Sequence, residues 1–197
     1  MNHMTSPFIQ IIARFETIIS WVTKLIGLDE FLPSSNFLAQ AGDIFCSDNS
    51  LTQFVCTNSL FVLCGFNIKQ MNTELLPVIM GHTPAGSSTK QFLHYAQLVK
   101  SGKFRQYDYG LRNLLKYKSL FPPKYDLSKV TAPVALMYSH NDWLAAEDDV
   151  LTLYGELANK IGRFLVSDSQ FNHLDYLWGR DADTLVYYKV FSLMTKY

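Results

Sequence analysis

Two residues late in the chain are of types that move protons, and each follows a short apolar run. Asp142 stands in "SHNDWLAAEDDV" after "PVALMY", and His173 stands in "FNHLDYLWG" after "RFLVSD". An imidazole accepts a proton near neutral pH, and a carboxylate bonded to its other ring nitrogen fixes the tautomer and stabilises the imidazolium that results. Such a pair is the base half of a nucleophilic hydrolase. Both residues also have plainer readings, because an Asp after a strand is commonly a turn former or N-cap and a loop histidine is commonly just solvated. Glu147, Asp148 and Asp149 stand closer to the next helix and are better placed to cap it. Asp175, two residues beyond His173, competes with Asp142, but its position suits bonds to local backbone.

No nucleophile accompanies the pair. A serine on a G-x-S-x-G elbow is expected before the Asp in chain order, and none of the ten glycines begins that motif. Ser87 and Ser88 in "TPAGSSTK" lack a preceding apolar strand and a following glycine. Cys64 in "LFVLCGF" follows an apolar run but has no second elbow glycine, which leaves it a poor nucleophile. Metal chemistry is no better supplied. Cys46, Cys56 and Cys64 come without a Cys-x-x-Cys or His-rich pattern, and His94 has no second ligand type at i+3 or i+4. Spacing leaves open whether two of the thiols close a short-loop disulfide or all three stay reduced and buried. No cofactor is expected.

The elements around Asp142 and His173 decide whether they meet. "PVALMY" reads as a buried strand, "SHNDWLAAEDDVLTLYGELANKIG" as a turn and a helix, "RFLVSD" as a second strand, and the segment from "SQFNHLDYLWG" onward as a polar turn and a last helix. Strand, helix, strand, helix is the grammar of a parallel α/β layer. In a right-handed β-α-β unit the loops leaving the two strands emerge on one edge of the sheet. Asp142 and His173 are therefore expected to approach each other.

Upstream, residues 1 to about 125 read as mainly helical or irregular, broken at "FLPSSN", "GHTPAGSS" and "LFPPKYD", with no internal repeat. "SSTKQFLHYAQLVKSG" predicts a helix that starts at the capping-type Ser87 and Ser88 and stops at Gly102. Phe8, Ile11, Ile12, Phe15, Ile18, Ile19, Val22, Leu25 and Ile26 recur at helical spacing and predict one amphipathic helix, ended by Gly27 and packed on the rest of the domain.

Composition bounds the partners. Lys plus Arg equals Asp plus Glu at 17 each, so no basic stripe is available for a phosphate backbone and nucleic acid is excluded as a partner. Arg14, Glu16 and Lys24 put too many charges in the first apolar stretch for a transmembrane segment, which also lacks the layout of a secretory signal. With 48% hydrophobic, 14% aromatic and only 17% charged residues, the chain carries more apolar surface than a core of this size needs. An apolar ligand fits that excess.

Taken in order, "LCGFNIKQMN", "HTPAGSSTKQFLHYAQLVKSGKFRQYDYG", "PPKYDLSKVTAPVALMYSHNDWLAAEDDV" and "FNHLDYLWGRDA" resemble the acid lipase family, the α/β-hydrolases that include gastric and lysosomal acid lipases. The likeness runs from about "DEFLPSSNFL" to the last helix and covers the carboxyl-terminal half of such a lipase. It implies a partial α/β-hydrolase fold, with a helical cap and lid over residues 1–125 and the last strands and helices of the core over 126–197. It also implies that Asp142 and His173 are the acid and base of a catalytic triad, that Cys46 and Cys56 form a lid-region disulfide, and that Cys64 stays free. The expected substrate is a neutral lipid ester at a lipid interface, and the full-length relative is expected to be secreted or lysosomal. The H-G loop and the G-H-S-x-G elbow of the family would lie before Met1. An incomplete lipase sequence is thus one expectation; a truncated, non-catalytic lipid-binding product or a lipase-interacting one is the alternative.

Overall fold

The computed structural model describes residues 3–31, 58, 61–83 and 85–197. Two helices, α1 (Pro7–Arg14) and α2 (Glu16–Leu25), open the chain, and a two-residue strand β1 (Glu30–Phe31) follows. After a helical turn at 61–64 come α3 (Leu76–His82), β2 (Ser87–Ser88), α4 (Thr89–Ser101) and α5 (Asn113–Tyr117). The last third holds β3 (Val134–Tyr138), α6 (Glu147–Glu156), β4 (Lys160–Leu165), α7 (Asp175–Trp178) and α8 (Tyr188–Met194).

Strands β3 and β4 are parallel and adjacent, with Ala135 opposite Gly162 and Tyr138 opposite Leu165. Helix α6 makes the crossover and packs on β3. The pairing continues past the strands, since Val166 N–H donates to the Tyr138 carbonyl at 2.9 Å. Val166, Phe171, Ala182 and Val186 form the buried core beside this pair, with Met137, Tyr176 and Val190 packed against it. The expected parallel α/β unit is therefore present. Its first strand is less buried than its apolar run suggests: Tyr138 is buried, but Val134 to Met137 are only half-buried, because β3 has one strand neighbour among the described residues.

Helix α4 follows its expected bounds. Ser88 accepts from the Lys90 N–H at 3.2 Å as N-cap, and Gly102 ends the helix with φ +63°, a left-handed conformation that glycine adopts without a Cβ penalty. The antiparallel β1 and β2 pair in front of it, and Phe31 stacks on Phe92 of α4 with ring centroids 4.3 Å apart.

Four expectations need correction. The single amphipathic helix is two helices, parted at Phe15 (φ −97°, ψ 10°). The face that α1 and α2 turn to α4 is not the broad apolar one: Ile9, Ala13, Glu16 and Ser20 are the buried residues, and Gln97 Nε2 donates to the Glu16 carboxylate at 3.1 Å. Ile18, Trp21, Leu25 and Ile26 lie exposed instead. The amide and lysine side chains of α4 satisfy Glu16, so that polar contact directs the packing. The last helix is likewise broken, into α7, a π-helical stretch Asp183–Tyr187, and α8. Finally, the helix α6 is entered from Ala146 without a side-chain cap; Glu147, Asp148 and Asp149 occupy its first turn, where their charge complements the helix dipole.

Cys46 and Cys56 lie outside the described residues. No described helix is long and apolar enough to cross a membrane.

Candidate active site

The loop after β3 runs Ser139, His140, Asn141, Asp142, and the Asp142 side chain turns back into the protein. Its Oδ1 accepts from the N–H groups of Leu144 (2.9 Å) and Ala145 (2.7 Å), so the carboxylate is anchored by its own loop. Side-chain exposure is 5% for Asp142 against 44% for His173. The loop after β4 delivers His173, whose Nδ1 lies 2.9 Å from Asp142 Oδ2 and 3.2 Å from Oδ1. The parallel strands thus bring together two residues 31 positions apart.

Electrostatics at the pair follow from this geometry. The hydrogen bond that Nδ1–H donates to Asp142 is the main reason that the imidazole holds its proton more tightly than usual; burial acts against it, and the Asp142 charge adds to it. A carboxylate at Nδ1 selects the tautomer with the proton on Nδ1, which leaves the Nε2 lone pair as the basic site. His173 Nε2 has no partner among the described residues.

A segment far upstream in sequence braces both loops. Gly65 has φ +111°, and a Cβ there would sit 2.2 Å from the Asn141 carbonyl oxygen, so only glycine fits this approach. Asn141 Nδ2 donates to the Phe66 carbonyl (2.9 Å) and the Gln170 carbonyl (2.7 Å), tying the segment to both the Asp142 loop and the His173 loop. Asn172 Nδ2 donates to the Gly65 carbonyl at 3.0 Å. Farther along, Gln70 Nε2 donates to Asp181 (3.0 Å) and its Oε1 accepts the Asp181 N–H (3.0 Å). The Asp142 loop is also held by the N-terminal segment and by α4. Thr5 and Ser6 N–H groups donate to the Trp143 carbonyl, and Tyr95 Oη donates to the Leu144 carbonyl at 3.0 Å.

The other candidate residues fall outside the pair. Asp175 is buried, and its Oδ2 accepts from Asn172 N–H (2.8 Å) and Asn67 Nδ2 (2.9 Å), not from His173. Cys64 is a free thiol, 5% exposed, pushed up to about 12 by burial and by the charges of Asp142 and Asp175, a poor state for a nucleophile. His94 Nε2 bonds the Arg105 carbonyl at 2.9 Å and serves packing. His140 instead pairs with Glu147 at 2.7 Å. Among the described residues no cluster of His, Cys, Asp or Glu could hold a metal ion. Asn67, Gln70, Asn141 and Asn172 were not singled out by their sequence; the one signal for them is a glycine followed closely by amide residues in "CGFNIKQ".

No protein-family model matches the chain. Curated proteins do. "Lipase 3" of Drosophila melanogaster is 38% identical over 198 residues, 100% of this chain and 50% of that protein. Gastric triacylglycerol lipase of Rattus norvegicus is 40% identical over 186 residues, 93% of this chain and 46% of its own length. Lysosomal acid lipase/cholesteryl ester hydrolase of Homo sapiens is 37% identical over 178 residues, 89% of this chain and 44% of its own length. The chain spans about half the length of the curated relatives it matches. With this likeness along its whole length, the chain belongs to the acid lipase family.

Proposed function

We propose that this chain is the carboxyl-terminal portion of a serine ester hydrolase, a triacylglycerol or steryl-ester lipase of lipid catabolism, and that Asp142 and His173 are its acid and base. The observation that carries the reading is the 2.9 Å bond between Asp142 and His173 Nδ1 at the ends of two neighbouring parallel strands. The names of the relatives supply the substrate class.

In this mechanism a serine from a part of the protein outside this sequence attacks the ester carbonyl. His173 Nε2 takes the serine proton as the oxygen–carbon bond forms, and Asp142 stabilises the imidazolium. The tetrahedral intermediate collapses to an acyl-enzyme, and the proton on Nε2 passes to the leaving alcohol. Water then adds to the acyl carbon, giving its proton to Nε2. Collapse releases the carboxylic acid as the proton returns to the serine.

The proposed organisation assigns residues 1–125 to a mostly helical cap and lid, and 126–197 to the part of an α/β-hydrolase core that bears the two catalytic loops. The exposed Ile18, Trp21, Leu25 and Ile26 support contact with an apolar ligand or a lipid interface. The same surface supports the second reading, a lipid-binding product without turnover. The proposed location of the full-length protein is secreted or lysosomal.

Labelling of the native full-length protein with a fluorophosphonate separates the readings, because the probe phosphonylates a serine, with loss of fluoride, only where a base activates it. One serine is expected to be labelled, with the label lost in His173→Ala. Equal labelling of wild type and His173→Ala rejects His173 as the base, and lipid binding with no label supports the second reading.

A further inference from the structure

The His173 backbone is held only weakly by its own hydrogen bond. Its N–H lies 3.5 Å from the Cys64 carbonyl, at the outer limit of a useful contact. Its neighbours are held far better. Asn172 Oδ1 accepts from the N–H groups of Leu174 (2.8 Å) and Asp175 (3.1 Å), while Asp175 Oδ2 accepts the Asn172 N–H (2.8 Å). These reciprocal bonds close the turn on both sides of His173.

The same two side chains fasten that turn to segment 65–70. Asn172 Nδ2 reaches the Gly65 carbonyl at 3.0 Å, and Asn67 Nδ2 reaches Asp175 Oδ2 at 2.9 Å, across 107 and 108 positions. Asn67, Asn172 and Asp175 are all buried, at 1%, 1% and 4% exposure.

We propose that Asp175 is a positioning residue for His173, fixing with Asn172 and Asn67 the turn that presents the imidazole to Asp142. The inference rests on the reading of His173 as the base. Asp175 touches neither the imidazole nor the reacting atoms, so it acts through the backbone. Its place cannot be taken by Asp142, whose carboxylate is committed to His173, Leu144 and Ala145.

The surroundings of Asp175 are short of positive charge. Asp168 shares the Asn67 amide at 3.4 Å and meets Gln70 at 3.3 Å, and Asp181 meets Gln70. The Asp175 charge acts on Cys64 and Tyr176, the imidazole of His173 stands two residues away, and none of the ion pairs among the described residues includes Asp175. Burial raises the Asp175 carboxyl to about 6, against the bonds from Asn172 and Asn67 that lower it. Asn67 Oδ1 is buried without a partner. A protonated Asp175 can donate to that oxygen once the amide turns over, so an amide at position 175 should reproduce the acid form of the brace.

The test compares Asp175→Ala, Asp175→Asn, Asn67→Ala and His173→Ala in the native full-length protein, with a soluble p-nitrophenyl ester as substrate. Displacement of a catalytic group by about 1 Å costs roughly a hundredfold, so Asp175→Ala and Asn67→Ala are expected to lower kcat by about 10- to 100-fold with KM changed less than about threefold. Asp175→Asn is expected to recover most of kcat at pH 5. The low-field proton resonance of the His173–Asp142 bond should weaken in the two alanine variants and persist in Asp175→Asn. A folded Asp175→Ala with wild-type kcat and an unchanged resonance overturns the proposal. If Asp175→Ala does not fold, Asn67→Ala, which removes only a donor, decides by the same readouts. Unchanged turnover in His173→Ala would instead reject the catalytic reading, and the proposal with it.

Discussion

Asp142 holds His173 Nδ1 at 2.9 Å while its Oδ1 is itself held by the Leu144 and Ala145 N–H groups at 2.9 and 2.7 Å. The carboxylate is thus fixed before it meets the imidazole. A carboxylate that is already anchored loses little freedom when its partner becomes charged, which suits it to stabilise an imidazolium in the proposed mechanism.

The bond has a consequence for titration. Asp142 raises the His173 pKa above its ordinary 6.5, so protonation stabilises the folded protein below about 6.5, and that contribution is lost as pH rises through the folded value. Nuclear magnetic resonance titration of His173 should therefore show a raised midpoint in the wild type. In Asp142→Asn the midpoint should fall to the ordinary value or below it, since burial then acts alone. An unchanged midpoint contradicts the geometry described.

Asp175 gives a second pH dependence in a separate window. Its folded pKa of about 6 stands above the ordinary 3.8, so its contribution to stability is fully present below about pH 4 and is lost as pH rises through 6. A displacement of that size corresponds to roughly 3 kcal/mol at most. Melting temperature should accordingly fall between pH 4 and pH 6 in the wild type, and Asp175→Asn should flatten the slope. A slope of equal size in both proteins would show that another group carries it.

Gly65→Ala is expected to be among the most damaging single changes in the chain. The added Cβ would lie 2.2 Å from the Asn141 carbonyl oxygen, at a φ of +111° that alanine rarely adopts. The expected loss exceeds about 2 kcal/mol in denaturant unfolding, because strain and displacement of the acid loop combine. A loss below about 0.5 kcal/mol would mean that the loop relaxes freely.

Cys64 should be chemically quiet. Buried and raised to about 12, it is expected to react with a disulfide reagent at least about a hundredfold more slowly in the folded protein than in denaturant. Cys64→Ser should retain ester hydrolysis in the native full-length protein. Loss of turnover in a well-folded Cys64→Ser would return the thiol to the list of nucleophiles.

The sequence made the placement of the two loops legible and hid what braces them. Two short apolar runs with a helix between them suffice for a right-handed parallel pair, and that topology alone brings Asp142 toward His173. Nothing local marks Asn67 as the partner of Asp175, because amide side chains carry no periodicity and these two lie 108 positions apart. The N-terminal helices show a different limit. Periodicity located the apolar residues of α1 and α2, yet Ile18, Trp21 and Leu25 remain exposed while Glu16 is buried, since Gln97 and Lys100 of α4 offer the polar partners. The break at Phe15 and the π-helical stretch Asp183–Tyr187 have no proline or glycine to announce them.

Under the proposed function Asp142 orients His173 for ester hydrolysis, and the decisive measurement is turnover of a soluble p-nitrophenyl ester by the native full-length protein carrying Asp142→Asn. Replacing such an acid by its amide selects the wrong imidazole tautomer while leaving the fold intact, and kcat is expected to fall by about 10⁴-fold with little change in melting temperature. A folded Asp142→Asn protein that keeps kcat within about tenfold of wild type would reject that role for Asp142, since in a triad of this kind the orienting acid carries far more than that.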